Sequence, residues 1–230
     1  MNQQPETGTL YLVATPIGNL EDITFRAVRI LSEVDAIYAE DTRQSSKLLH
    51  HYEIKDKPLR SFHEHNEQQQ TGNLITLLQE GKSLALVSDG GCPTIADPGF
   101  KLVRACTEAN IKVVPIPGAN AAITAIMASG LPTDEHSFLG FLPRTSGKKE
   151  KAFARWKDYT GTLIIYESPH RLTYTLETMN TVFEGKGKLV IAREMTKLYE
   201  EFVRGSFSEV LAYFNKKNTP KGEFVILWHQ

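Results

Sequence analysis

From residue 9 to about residue 116, short apolar runs alternate with segments of helical periodicity, which restricts the chain to a mostly parallel sheet covered by helices on both faces. Leu10–Ala14, Ala36–Ala39, Leu59–Phe62, Leu84–Ser88 and Val113–Pro115 are bounded by turn residues and are predicted strands. Asn66 to Glu80 places Leu74, Leu77 and Leu78 on one helical face, with Gly81 just past the end. Asp97-Pro98 predicts an N-cap with proline at the first helical position, and a helix through Ala109. Pro115-Ile-Pro-Gly118 cannot continue a central strand, because neither proline has an N–H for the ladder. A domain boundary is placed there, giving an N-terminal α/β domain over 1–117 and a C-terminal one over 118–230. The second half opens with an Ala-rich helix, Ala119–Ser129. Its predicted strands are Phe138–Leu142, Thr162–Glu167, Lys188–Glu194, Glu200–Arg204 and Glu223–Trp228. The last three follow with little helix between them, so antiparallel pairing and a mixed sheet are expected. Two α/β domains with a ligand cleft between them is the simplest architecture.

The 230 residues suffice for one large domain or two small ones, and 41% hydrophobic with 23% charged residues fits a folded globule. With 26 basic against 27 acidic residues, any contact with nucleic acid must use a local patch rather than the whole surface. Cys92 and Cys106 are too few for a disulfide framework and form no C-x-x-C pair, so a reducing cytoplasm is expected. Met1–Thr7 has no basic n-region and no apolar core, and is not expected to be a signal peptide. No apolar run approaches the roughly 20 residues of a membrane helix, so no membrane partner is expected.

The candidate chemistry lies where strands end. Leu10–Thr24 predicts a buried strand, a tight turn at Pro16-Ile17-Gly18-Asn19 and a helix entrance. This is where open α/β sheets present ligands. The turn is not a nucleotide fingerprint. Gly185 and Gly187 are the only glycine pair separated by one residue, and Val190 stands where a third glycine would be needed. Gly81-Lys82-Ser83 resembles the tail of a Walker A loop, but Thr76 replaces its leading glycine. The second turn is Ser88-Asp89-Gly90-Gly91-Cys92-Pro93-Thr94-Ile95-Ala96-Asp97-Pro98-Gly99, whose glycines allow close backbone approach. The third is Pro117-Gly118-Ala119-Asn120-Ala121, a backbone corner at a helix start. Tyr166-Glu167-Ser168-Pro169-His170-Arg171, Arg193-Glu194-Met195-Thr196-Lys197 and Lys221–Val225 add polar groups at strand ends of the second half. Ser168-Pro169 also fits a helix start. His63-x-His65 would place two imidazoles on one strand face, but with no third ligand evident a metal is not expected.

These segments, together with Ala39-Glu-Asp-Thr-Arg43, Phe62-His-Glu-His-Asn-Glu67 and Gly140-Phe-Leu-Pro-Arg144, run across nearly the full length. In order and spacing the chain resembles the tetrapyrrole-methylase superfamily, the class III S-adenosylmethionine methyltransferases. Ala-Glu-Asp-Thr-Arg, Phe-His-Glu-His-Asn-Glu and Tyr-Glu-Ser-Pro-His-Arg resemble its ribosomal-RNA branch rather than its corrin-ring branch. Two motifs depart from the family pattern: Gly90 and Cys92 stand in Ser88–Pro93 where Ser-Asp-Ala-Gly-Thr-Pro is usual, and Asn120 stands for a serine. Cys92 lacks the hydroxyl, whereas backbone contacts from Gly90, Gly91 and Ile95 do not depend on it, and Asn120 keeps a polar side chain.

The resemblance implies transfer of a methyl group from S-adenosyl-L-methionine to the 2′-hydroxyl of a cytidine in 16S ribosomal RNA of the small ribosomal subunit, by a homodimer. It implies cofactor contacts from Pro16, Ile17, Gly18, Asn19, Asp89, Gly90, Gly91, Cys92, Pro93, Ile95, Gly118, Asn120 and Ala121. For catalysis and RNA positioning it implies Asp22, Asp41, Arg43, Glu64, Glu167, Glu194 and Lys197, without singling out the base. A local ion pair at a helix start is the plain alternative for Asp41 and Arg43, and a solvated strand end for Glu194 and Lys197. Arg144, Lys148, Lys149, Lys151, Arg155 and Lys157 crowd one segment around Trp156, opposed nearby only by Glu150 and Asp158, and are the expected phosphate contacts. A solvated helix face would look the same. A corrin or porphyrin methylase of the same fold and a non-catalytic RNA-binding assembly protein are the competing functions.

Overall fold

The computed structural model describes residues 7–216 and 221–230, so the signal-peptide expectation for Met1–Thr7 falls almost wholly outside the described residues. Contacts divide the chain between Asn120 and Ala121 into two units.

The N-terminal unit runs β1 (Thr9–Val13), α1 (Phe25–Glu33), β2 (Ala36–Ala39), α2 (Thr42–His51), β3 (Leu59–Ser61), α3 (Glu67–Gln79), β4 (Leu84–Val87), α4 (Phe100–Glu108) and β5 (Lys112–Ile116). Its five strands lie in the order β3-β2-β4-β1-β5, and every pair is parallel. Strands β2 and β4 are buried at every residue, as parallel strands packed on both faces must be. One face packs Ala27, Ile30 and Leu31 of α1 and Leu49 of α2 on Val13, Ile37, Ala85 and Val87. The other packs Leu74 and Leu78 of α3 and Leu102 and Cys106 of α4 on Leu10, Tyr38, Leu84 and Leu86. Pro115 lies within β5, which a proline tolerates because β5 is an edge strand. From the adjacent strands β1 and β4 the chain leaves to opposite faces, toward α1 and α4. That divergence is the switch point that opens a crevice at the carboxyl ends of the strands.

One helix start and one strand end in this unit differ from expectation. Helix α4 begins at Phe100, not after Asp97, because Gly99 takes φ +128° and gives its N–H to Glu67 Oε1 at 3.0 Å. A Cβ at Gly99 would come within 2.7 Å of Leu86 Cδ2, so the turn also needs the missing side chain. His63 and His65 lie in the turn after β3 rather than on a strand face, with ring centroids 5.8 Å apart.

The C-terminal unit runs α5 (Ala121–Ser129), β6 (His136–Phe141), α6 (Ser146–Ala154), β7 (Thr162–Glu167), α7 (Leu172–Val182), β8 (Lys188–Arg193), β9 (Glu201–Gly205), α8 (Phe207–Asn215) and β10 (Phe224–His229). The order is β6-β7-β10-β8-β9, with β6 and β7 parallel and the other pairs antiparallel. The sheet is mixed, as expected. Helices α6, α7 and α8 cover one face through Phe153, Leu176, Met179, Phe207, Val210 and Phe214. Helix α5 covers the other through Ala122, Ala125 and Ile126. Helix α8 was not expected. It starts at a full capping box, in which the Ser206 side chain accepts from Glu209 N and the Glu209 carboxylate accepts from Ser206 N. Ser168-Pro169 does not start α7. Ser168 O accepts from Arg171 N at 3.1 Å in a turn, and the helix begins at Leu172.

Candidate active site

The turns after β1, β4 and β5 meet at the carboxyl edge of the parallel sheet. Thr15 and Gly91 exchange both backbone hydrogen bonds at 2.9 Å, tying the first turn to the second. The Thr15 hydroxyl donates to Ser88 O and the Ser88 hydroxyl to Gly91 O, each at 3.1 Å and buried. Gly91 takes φ +95°, and a Cβ there would lie 3.5 Å from the Ile17 side chain and 3.7 Å from Ala119 O. Gly90 backs against Pro16 O and Ile17 Cα in the same way. The Cys92 thiol donates to Ala119 O at 3.6 Å, which brings in the third turn. Gly118 is there for close approach: its Cβ would stand 2.9 Å from Ala14 Cβ. Asn19 accepts from Glu21 N and caps the short 3-10 turn Leu20–Asp22. Thr94 and Ala96, at φ +74° and +65°, hold Ile95 half-exposed between them. Such left-handed conformations in non-glycine residues are costly and concentrate at functional loops.

Carboxylates surround these turns. Asp89 Oδ1 accepts from Asp41 N at 2.9 Å, joining the ends of β4 and β2. Asp41 caps α2 and pairs with Arg43 at 2.6 Å, and the hydrogen bonds from the Arg43 side chain and backbone hold its carboxyl down at about 2. Asp97 is pushed up to about 7, first by burial and then by the neighbouring charge of Glu40, with Asp89 adding to it and a hydrogen bond from Ser88 opposing. Glu40 is also raised, by burial and by Asp89 and Glu64. Residues 14–19, 88–99 and 117–120 contain no lysine or arginine, so the local field favours a cation over a phosphate. Glu40 and Asp97 were not among the expected catalytic residues. Glu40 lies inside the Ala39–Arg43 motif, and Asp97 has the sequence form of a helix cap.

The remaining expected residues are placed as follows. Asp22 lies on the exposed 3-10 turn, and Glu64 is exposed beside His65 Nε2 at 3.4 Å. Glu194 and Lys197 pair at 2.9 Å, and Lys197 also meets Glu223 at 3.0 Å. Burial works against the charge of Glu194, but Lys197 and the Glu223 amide hold its carboxyl below the usual range. Helix α6 leaves Lys148 and Lys151 exposed, with Arg144 and Arg155 exposed just outside it. Lys157 is paired with Glu184 at 3.2 Å.

Two expectations are corrected. Lys149 is no phosphate contact, because it is wholly buried: its ammonium donates to Thr175 Oγ1 at 2.5 Å and lies 3.7 Å from Glu167 Oε2. Glu167 is no substrate contact either. Its fully buried carboxylate is consumed by Arg171 at 2.6 Å, Thr175 Oγ1 at 2.6 Å and Ser168 N at 2.8 Å. Together they brace α6 and α7 against the end of β7. Among the described residues no three His, Cys, Asp or Glu side chains are grouped to hold a metal, and no helix is long and apolar enough to cross a membrane.

The family model for tetrapyrrole (corrin/porphyrin) methylases matches residues 9–211, and the chain belongs to that family. It is 52% identical over 225 residues to the ribosomal RNA small subunit methyltransferase I of Halalkalibacterium halodurans, covering 98% of this chain and 77% of that protein. With the Bacillus subtilis protein of the same name it shares 49% identity over 226 residues, covering 98% and 76%. Among solved structures, diphthine synthase aligns with TM-score 0.75 at 13% identity, covering 96% of this chain and 90% of that one. A cobalt precorrin-4 methyltransferase aligns with TM-score 0.68 at 15% identity, covering 96% and 94%. These two share the fold.

Proposed function

We propose that the chain methylates the ribose 2′-oxygen of a cytidine in the 16S RNA of the small ribosomal subunit, using S-adenosyl-L-methionine, in the cytoplasm and as a homodimer. The observation that carries the reading is the backbone knot formed by the turns after β1, β4 and β5. Relatives of about half identity, named for the small-subunit RNA, favour RNA over a macrocycle as the acceptor.

The knot fits such a donor. Backbone and small side chains of Ile17, Gly90, Gly91, Cys92, Ala119 and Asn120 would hold it, beside carboxylates that suit a positively charged group. When bound, the donor supplies a sulfonium methyl that needs no further activation. The chain must then fix that methyl in line with the attacking oxygen, and orientation of this kind contributes roughly 7–11 kcal/mol in well-ordered systems. It must also accept the proton of the 2′-hydroxyl. Asp97 is the carboxylate matched to that role near neutral pH, with Glu40 beside it, whereas the strongly acidic Asp41 is a poor base. The exposed basic side chains Arg144, Lys148, Lys151 and Arg155 are suited to the RNA phosphates.

The test is methyl transfer from labelled donor to purified small subunits that lack the modification, with binding of the donor alone followed by calorimetry. Label in the RNA and saturable donor binding are expected. Donor binding without transfer would sink the substrate, and no binding would sink the enzyme reading.

A further inference from the structure

In Gly140-Phe-Leu-Pro-Arg144, where only Arg144 has a role so far, strand β6 ends with an irregularity. Along β6 the pairing with β7 runs His136 to Thr162, Ser137 to Leu163 and Phe138 to Ile164, then jumps to Phe141 opposite Tyr166. Three residues of β6 thus pass two of β7, which is a bulge. Side chains three apart on a regular strand point to opposite faces of a sheet. The bulge cancels that and turns Phe141 to the face that carries Phe138 and Tyr166. Gly140 makes it possible at φ +62°, and no atom lies within 4 Å of where its Cβ would be, so the position calls for the conformation rather than the space.

The result is an aromatic step at the carboxyl ends of the parallel pair β6 and β7. Phe138 and Phe141 meet Tyr166 edge-on at 4.7 and 5.6 Å between ring centroids. The Tyr166 hydroxyl accepts from Ala122 N at 3.1 Å, pinning the step to the first turn of α5. Arg171 Nη1 donates to Leu142 O at 3.3 Å and fixes the chain just beyond. Phe138 and Tyr166 are partly covered, while Phe141 remains 58% exposed. The next ten residues bring Arg144, Lys148 and Lys151, all exposed, with no ion pair recorded for them among the described residues. An exposed, pre-fixed aromatic ring beside cationic side chains is how proteins hold unpaired nucleotides, ring on base and cation on phosphate.

We propose that Phe141, backed by Tyr166 and Phe138, is the stacking platform for an unpaired base of the RNA substrate. The inference rests on the proposed function and adds the element that grips a base. Phe141→Ala, Phe141→Leu and Phe141→Trp are compared with the parent on unmethylated small subunits, with donor binding, melting temperature, sedimentation and salt dependence measured alongside. The alanine variant is expected to raise KM for the subunit roughly 5- to 150-fold, the range for loss of one base stack. Leucine should recover little of it and tryptophan most of it. Donor affinity, melting and sedimentation should stay at parent values, and the slope of affinity against salt should not change, because no charge has been removed. An unchanged KM overturns the platform, as does a leucine variant as good as the parent, which would make the contact merely apolar. Weakened donor binding would assign the ring to the donor's adenine instead, and altered sedimentation would assign it to contact between copies of the chain. Parent protein that transfers no methyl to the subunit takes down the functional reading, and the platform with it.

Discussion

Asp41 and Asp97 lie at the same edge of one parallel sheet and are driven in opposite directions. Asp41 is partly exposed and gripped by Arg43, which keeps it ionised far into acid. Asp97 is partly buried among Glu40 and Asp89, and its own charge is disfavoured up to about 7. Two outcomes are expected for Asp97→Asn. As the proton acceptor, its loss should lower kcat by roughly 10²–10⁴-fold and erase a pH limb near 7. A stability effect should accompany it. The folded value lies above the ordinary 3.8, so the native state holds its proton longer than the unfolded chain does, and stability declines as pH rises from about 4 to about 7. Above that window the loss is complete. The asparagine variant should therefore melt higher than the parent at pH 8, with the difference shrinking toward zero near pH 4; an equal gain at both pH values would contradict the assignment. None of this was legible in the sequence, where Asp97 followed by Pro98 has the form of a helix cap. Its chemistry comes first from burial and then from the charge of Glu40, which only the strand order brings beside it.

At the scale of elements, helix α6 shows what residue density conceals. Lys148 and Lys149 are adjacent, yet one faces water and the other has no exposed surface. Successive helical residues are turned by about a third of a circle, and Lys149 shares a face with Phe153 four residues on, which packs in the core. That spacing is legible in the sequence, and the density of lysines along the segment masks it. Lys149→Ala should leave the Glu167 carboxylate buried with one partner fewer and cost about 3–5 kcal/mol of stability in denaturant unfolding, while the salt slope of RNA affinity stays unchanged. Replacing Lys148 and Lys151 together should do the reverse, reducing the slope by about two with little change in stability. If Lys149→Ala reduced the slope and spared stability, the buried assignment would be wrong. Helix α8 carried an equally readable signal in Ser206-Phe-Ser-Glu209, whose first and fourth residues form the capping box.

Across the whole molecule, the alternation of apolar runs with helical segments was enough to read the parallel sheet, because strands buried on both faces, such as Ala36–Ala39 and Leu84–Val87, have nowhere to place polar residues. The three turns of the candidate site were legible for a related reason: Gly91 and Gly118 mark places where a side chain would strain the backbone or collide. Their mutual contacts were not, since the Thr15–Gly91 bridge spans most of the N-terminal unit in sequence. The bulge at Gly140 was also hidden, because a lone glycine in a strand does not say which way the next ring turns. The experiment that bears hardest on this account is a map of ribose methyl groups on small-subunit RNA, from cells lacking the chain and from the same cells with it restored. One cytidine is expected to lose its 2′-O-methyl group in the cells lacking the chain and to regain it on restoration. A map that does not change, or a missing methyl that belongs to a base rather than a ribose, would contradict it.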